Sequence, residues 1–302
     1  MDSEEQQETD KNTENFLQTV EKIVDLNHIK KIQLEQISLI KKIGEGGQAK
    51  VYMGTYDNQK VAVKLMKNVD YKCFAHELVI LALLEHENIP KFYGIIREKN
   101  VLSLVFEFIE GKTLDQFKIS EFTTEQKYNI IYQLTSCLEY IHSKKFIHRD
   151  LKPENIMLDN QGKIHLLDFS IAKVITNAEF TLTRAKGTLN YLAPECLELS
   201  EISEDQQIIS KITSKVDVWA FGCIVSWLFS GFVPWSDKYK DIPPVIQQIL
   251  MKKIPFSIPK NIEDKNIIQI IQMATEVDVN KRKNMKEIKD FLDNCGIKYL
   301  YI

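Results

Sequence analysis

His148-Arg149-Asp150-Leu151-Lys152-Pro153-Glu154-Asn155 is the stretch on which the reading of this sequence turns. It sets an imidazole, a guanidinium, two carboxylates, an ammonium and a carboxamide side by side in one short loop-like run. Outward from it on the C-terminal side come Asp168-Phe169-Ser170, after a short hairpin, and later Ala193-Pro194-Glu195. On the N-terminal side, Gly44-Glu45-Gly46-Gly47-Gln48-Ala49-Lys50-Val51 lies between two strand-like runs. Glycines there let the backbone turn sharply and bring N–H groups close to phosphates. In Val61-Ala62-Val63-Lys64 the two-residue alternation puts Ala62 and Lys64 on one face and the valines on the other, so the lysine points toward whatever the loop covers. Glu77, on the helical stretch that follows, is a carboxylate partner for Lys64, and such a pair would hold the ammonium on the α- and β-phosphates of a nucleotide.

Period and turn signals divide the chain. Strongly β-type runs cover Ile37–Ile43, Lys50–Tyr56, Lys60–Met66 and Val101–Phe108, interrupted by one helical stretch around Phe74–Leu84. From Thr124 onward the pattern is mainly helical, with Glu125–Ser143, Val216–Ser230 and Ile267–Thr275 long enough to be helices. Two lobes joined near Glu107–Gly111 are expected. Residues 1–13 are acidic and polar and read as a disordered tail, and Phe16, Val20, Ile23 and Val24 recur at helical steps, so residues 14–35 read as a helical N-terminal extension.

His148 through Asn155, then Asp168-Phe169, then Ala193-Pro194-Glu195 resemble the eukaryotic protein kinase family, whose signature is H-R-D-L-x-x-x-N, D-F-G and A-P-E. The resemblance covers about residues 36–295. It implies an α+β, bilobal protein-kinase fold within 36–296: a five-stranded antiparallel sheet plus one helix in an N-lobe (36–106), a hinge (107–111) and a mainly helical C-lobe (112–296). It also implies an ATP- and Mg²⁺-dependent kinase that transfers the γ-phosphoryl group to hydroxyls on protein substrates. Asp150 would orient the substrate hydroxyl and accept its proton, and Asn155 and Asp168 would bind magnesium. One amide and one carboxylate oxygen suit that hard cation. Lys152, in D-L-K-P-E-N, is similar to the serine/threonine branch, where it approaches the γ-phosphate. By the same match Gly44, Glu45, Gly46 and Gly47 line the phosphates, Phe106 is the gatekeeper, and Glu107 and Ile109 offer backbone groups to adenine. Val51, Ala62 and Met157 would sandwich the ring. Leu81, Phe92, His148 and Phe169 resemble the apolar spine, Asp217 the helix residue that steadies the catalytic loop, and Glu195 would pair with Arg282.

The arginine before the catalytic Asp150 commonly answers a phosphorylated activation segment in this family, which makes Thr181 and Thr183 candidate phosphosites, with Lys173 as a second basic contact. Gly187-Thr188 resembles the loop that receives a protein substrate. Three features depart from the family pattern: Ser170 stands where glycine follows D-F, Ala49 and Gln48 alter the glycine loop, and an acidic run fills Glu198–Asp205. The reading that rivals catalysis is a pseudokinase, a nucleotide-binding scaffold.

Composition narrows the partners. The formal net charge is -3 and the basic residues are scattered, so no nucleic-acid partner is expected. The most apolar run, Phe221–Phe229, is far shorter than the roughly 20 residues a bilayer span needs. It reads as a buried core helix. Five widely separated cysteines fit a reducing, intracellular and cytoplasmic setting, and the kinase resemblance implies a role in signalling. The sequence is silent on oligomeric state.

Overall fold

The computed structural model describes residues 29–47, 49–67, 71–98, 101–169, 173–174, 188–196, 213–236 and 254–297. The chain divides into two compact units, one running to Glu110 and including Phe169, the other beginning at Gly111.

In the first unit β1 (Ser38–Glu45), β2 (Ala49–Tyr56), β3 (Gln59–Met66), β4 (Phe92–Glu98) and β5 (Val101–Glu107) form an antiparallel sheet in the order β1-β2-β3-β5-β4. Helix α1 (Tyr71–Leu83) lies between β3 and β4 in sequence. The β2–β3 hairpin turns on Asp57 and Asn58, both left-handed at φ 49° and 61°, the pair of conformations that a tight two-residue turn needs and that these short polar side chains tolerate. Val61 and Val63 point into a core with Ile32, Ile37, Tyr56, Ile96 and Val105, which leaves Ala62 and Lys64 on the opposite face. The expected five-stranded antiparallel sheet is thus present. Its fifth member, β4, has no clean alternation in sequence because Pro90 precedes it and a bulge between Phe92 and Gly94 shifts its phase.

The N-terminal extension requires a correction. Residues 29–35 are not α-helical: Lys31 bridges in parallel to Ile95, and only Leu34–Gln36 coils, as a 3₁₀ turn. The reason is that β4 closes the sheet with an open edge, and the backbone of residues 30–32 fills it. The acidic tail and the periodic segment around Phe16–Leu26 lie outside the described residues.

The second unit carries β6 (Gly111–Thr113), α2 (Thr124–Ser143), β7 (Phe146–Ile147), β8 (Ile156–Asp159), β9 (Ile164–Leu166), β10 (Lys173–Val174), α3 (Lys215–Ser230), α4 (Lys265–Ala274) and α5 (Met285–Asn294). Strands β6, β8 and β9 form one small sheet, and β7 pairs with β10. Helix α2 starts at a capping box in which Thr123 and Gln126 exchange side-chain and backbone hydrogen bonds. Helix α3 is buried from Val216 to Leu228, in keeping with the apolar run read there. Its Gly222 faces α4 so closely that a Cβ would stand 2.7 Å from Ala274 Cβ and Thr275 Cγ2. Among the described residues no helix is long and apolar enough to cross a membrane.

Candidate active site

The first unit presents Lys64 from the face of β3 opposite Val61 and Val63. Its ammonium meets Glu77 Oε1 on α1 at 2.7 Å, with the lysine side chain 14% and the glutamate 2% exposed. A carboxylate this dry needs a cation, so the pair fixes α1 against the sheet rather than decorating a surface. The glycine loop beside it is tied down as well. Gly46 N–H donates to Ala49 O at 2.9 Å, and Lys67 donates to Gly46 O at 2.9 Å. Lys67 also pairs with Glu45 at 2.6 Å. Hydrogen bonds from Lys42 and Lys67 pull the Glu45 carboxyl down to about 2.

The second unit gathers the loop between β7 and β8. Asp150 Oδ2 accepts from Lys152 Nζ at 2.7 Å and from Asn155 Nδ2 at 2.9 Å, and the same amide donates to Asp150 O at 2.7 Å. One charge-assisted bond from the ammonium and one from the amide therefore aim this carboxyl group. Both Asn155 donors point at Asp150, so the planar carboxamide turns its Oδ1 the other way. Leu167, next to Asp168, donates its N–H to Asn155 O at 2.8 Å, and its carbonyl lies 2.9 Å from His148 Nε2. Arg149 and Asp168 hold left-handed backbones, φ 72° and 58°. Such conformations cost of order 1 kcal/mol or more in non-glycine residues and persist where the surroundings over-determine them.

At Arg149 much of that determination comes from Asp217 at the start of α3. Its Oδ2 accepts from His148 N–H and its Oδ1 from Arg149 N–H, both at 2.8 Å, while His142 Nε2 stands 2.8 Å from Oδ2. Burial alone would raise this carboxyl, but the His142 hydrogen bond, the nearby imidazoles and the Arg149 amide outweigh it and hold it below its ordinary 3.8. A carboxyl depressed in the folded state stabilises fully above its unfolded value and loses that contribution as pH falls through the folded one. Asp217→Asn is accordingly expected to cost about 2–4 kcal/mol at neutral pH, from two weakened charge-assisted hydrogen bonds. Thermal melts below pH ~4 should show the gap between variant and parent narrowing. A gap that widens on acidification would contradict the assignment.

The sequence profile of the protein kinase domain matches residues 37–292. This chain belongs to the protein kinase family. Within that family it is 32% identical over 262 residues to the probable serine/threonine-protein kinase MARK-A of Dictyostelium discoideum, covering 83% of this chain and 23% of the relative. It is 28% identical over 281 residues to the putative mitogen-activated protein kinase kinase kinase 7-like protein of Drosophila melanogaster (87% and 67%). It is 30% identical over 230 residues to the carbon catabolite-derepressing protein kinase of Candida tropicalis (72% and 35%). The chain thus spans about a quarter of the first relative's length, two thirds of the second's and a third of the third's.

On this kinase domain the residues expected at the nucleotide take the following places. Val51 on β2 sits opposite Gly44 and Lys64, and Ala62 on β3 sits opposite Phe106 on β5, so these positions share neighbouring rungs of one sheet. Glu107 ends β5 and donates its N–H to Lys91 O at 2.9 Å. Ile109 follows in the half-buried link before β6, and Met157 lies on β8 opposite Thr113 and His165. The Phe92 and Phe106 rings meet tilted at 54°, 5.6 Å between centroids, and Leu81, His148 and Phe169 are buried. Thr188 opens a 3₁₀ turn, Thr188–Tyr191. Thr181, Thr183, Gly187, Ser170, Gln48 and the acidic run lie outside the described residues.

Two functional contacts were missed in the sequence. His142, on the last turn of α2 and close before His148, backs Asp217; a second histidine just upstream of H-R-D was the available signal. Lys67, one residue beyond β3, ties the glycine loop, and no local pattern marks it.

Proposed function

We propose that this chain is an ATP- and Mg²⁺-dependent serine/threonine protein kinase that transfers the γ-phosphoryl group of ATP to Ser or Thr hydroxyls of protein substrates. The observation that carries the reading is Asp150, whose carboxylate is held by Lys152 and Asn155 within one loop. Asp150 orients the substrate hydroxyl and takes its proton as the oxygen attacks the γ-phosphorus and the bond to the departing ADP breaks. Lys152 neutralises charge on the transferring group. Lys64, braced by Glu77, grips the α- and β-phosphates. Positioning and charge neutralisation are what this reaction needs, because its transition state is loose and little covalent work falls to the protein.

Asn155 Oδ1 and the Asp168 carboxylate are the oxygens that would hold Mg²⁺, and the amide orientation imposed by Asp150 fits that use. Among the described residues no three His, Cys, Asp or Glu side chains gather for a metal, and Mg²⁺ needs only one or two protein oxygens beside phosphates and water. The ion when bound neutralises phosphate charge. Gly44, Glu45, Gly46 and Gly47 cover the phosphates, and Val51, Ala62, Phe106, Glu107, Ile109 and Met157 receive adenine. Gly187 and Thr188 meet the protein substrate, and phosphate on Thr181 or Thr183 would activate the chain. The buried cysteines Cys137, Cys196 and Cys223 suit a reducing intracellular setting.

Lys64→Met tests the nucleotide half of this reading. Removing one preorganised charge should lower kcat/KM for ATP by about 10²-fold, and because it takes the ammonium from the buried Glu77 carboxylate the melting temperature should fall as well, so the rate is compared well below the unfolding transition. Transfer at the parental rate by this variant would remove Lys64 from the mechanism.

A further inference from the structure

Residues 29–36 precede the span matched by the family profile, yet they are built into the sheet that carries Lys64. Ile32 N–H donates to Ile95 O at 2.8 Å, Ile95 N–H donates to Lys30 O at 3.0 Å, and Leu34 N–H donates to Glu98 Oε1 at 2.7 Å. Lys30 lies over the Tyr56 ring at 4.8 Å. The site for this segment is specific: Gly94 has φ 152°, and a Cβ there would overlap the Lys30 carbonyl oxygen. Only glycine lets the incoming backbone approach so near. Ile32 is 1% exposed and packs in the cluster of Val61, Val63, Ile96 and Val105. Val61 and Val63 alternate with Ala62 and Lys64 along β3, so Ile32 backs the strand whose other face presents the ammonium.

We propose that residues 29–36 are a strap that sets the position of Lys64, with Ile32 as its positioning residue. Interiors are close-packed, so a void behind β3 lets the strand shift by fractions of an ångström. That shift is invisible to a fold but not to an ammonium that must meet two phosphates. The proposal rests on the kinase reading for the role of Lys64 and goes beyond it in naming what holds that residue.

The test uses the full chain with Ile32→Ala, Ile32→Val and Glu98→Ala, the last loosening the strap at Leu34 without opening a cavity. KM for ATP, kcat, affinity for Mg·ADP and melting temperature are measured well below the unfolding transition. Ile32→Ala should raise KM and the Mg·ADP dissociation constant about tenfold with kcat changed less than about twofold, the pattern of a lost contact made equally in ground and transition states. Ile32→Val should restore both to within about twofold, and Glu98→Ala should raise them about threefold. A merely structural role predicts a lower melting temperature with both constants unchanged, and that result overturns the strap. Should Ile32→Ala fail to fold, Glu98→Ala decides by the same readouts. If the parent chain binds Mg·ADP but transfers no phosphate, the kinase reading falls while the Mg·ADP series still judges the strap; a parent that binds no nucleotide sinks both.

Discussion

Asp150→Asn is expected to cut phosphoryl transfer by about 10³–10⁴-fold, the contribution of a well-placed general base, with the fold intact. The substitution keeps size and shape and keeps an oxygen to face Lys152 and Asn155, which now contact Asp150 at 2.7 and 2.9 Å. What it removes is the negative charge and the basicity. A loss of 10³ corresponds to about 4 kcal/mol of barrier. Because Lys64 and Glu77 belong to the other unit and keep their 2.7 Å pair, nucleotide affinity should survive, and the defect should appear in kcat with little change in KM. Equal losses of nucleotide affinity and rate would mean that Asp150 acts by supporting structure rather than by handling the proton.

The second large effect is on stability. Arg282 is fully buried, and its guanidinium donates to both oxygens of Glu195 at 2.7 and 3.1 Å. It also donates to Glu276 O and Lys215 O at 2.8 Å each and lies 5.0 Å over the Trp219 ring. Three segments of the second unit, the one holding Glu195, helix α3 and the loop after α4, therefore meet on one side chain. Arg282→Ala leaves Glu195, itself 7% exposed, as a buried charge without its cation, and breaking such a pair costs about 3–5 kcal/mol. In a domain this large that is a drop of roughly 10 °C in melting temperature. Arg282→Lys should recover only a small part of it, since an ammonium cannot satisfy the forked geometry. Calorimetry showing a shift of under ~3 °C for Arg282→Ala would contradict this account of the core.

The parts of the molecule that could be read in advance were those whose chemistry is contiguous in sequence. The loop from His148 to Asn155 closes on itself through bonds spanning two to five residues, so its residue order already carried its geometry. Lys64 and Glu77 were legible because one alternation and one helix separate them. What resisted reading is held together across long separations. His142 meets Asp217 across 75 residues of chain, and although the family resemblance marked Asp217 as steadying the catalytic loop, it did not name His142. The strap was misjudged for the same reason. The helical reading of residues 14–35 rested on the steps of Phe16, Val20, Ile23 and Val24, and only the open edge of β4, together with a glycine far downstream, dictates an extended backbone at residues 30–32. Strand β4 itself was hidden by the bulge that lets the strap approach.

The most direct test of the central claim is to incubate the purified chain with γ-labelled ATP, Mg²⁺ and a generic protein substrate and to identify the labelled amino acid. The account predicts label on serine or threonine, requiring Mg²⁺ and lost on Asp150→Asn. Tight binding of Mg·ATP with no label on any hydroxyl, in the chain itself or in the substrate, would contradict it and leave a nucleotide-binding scaffold in its place.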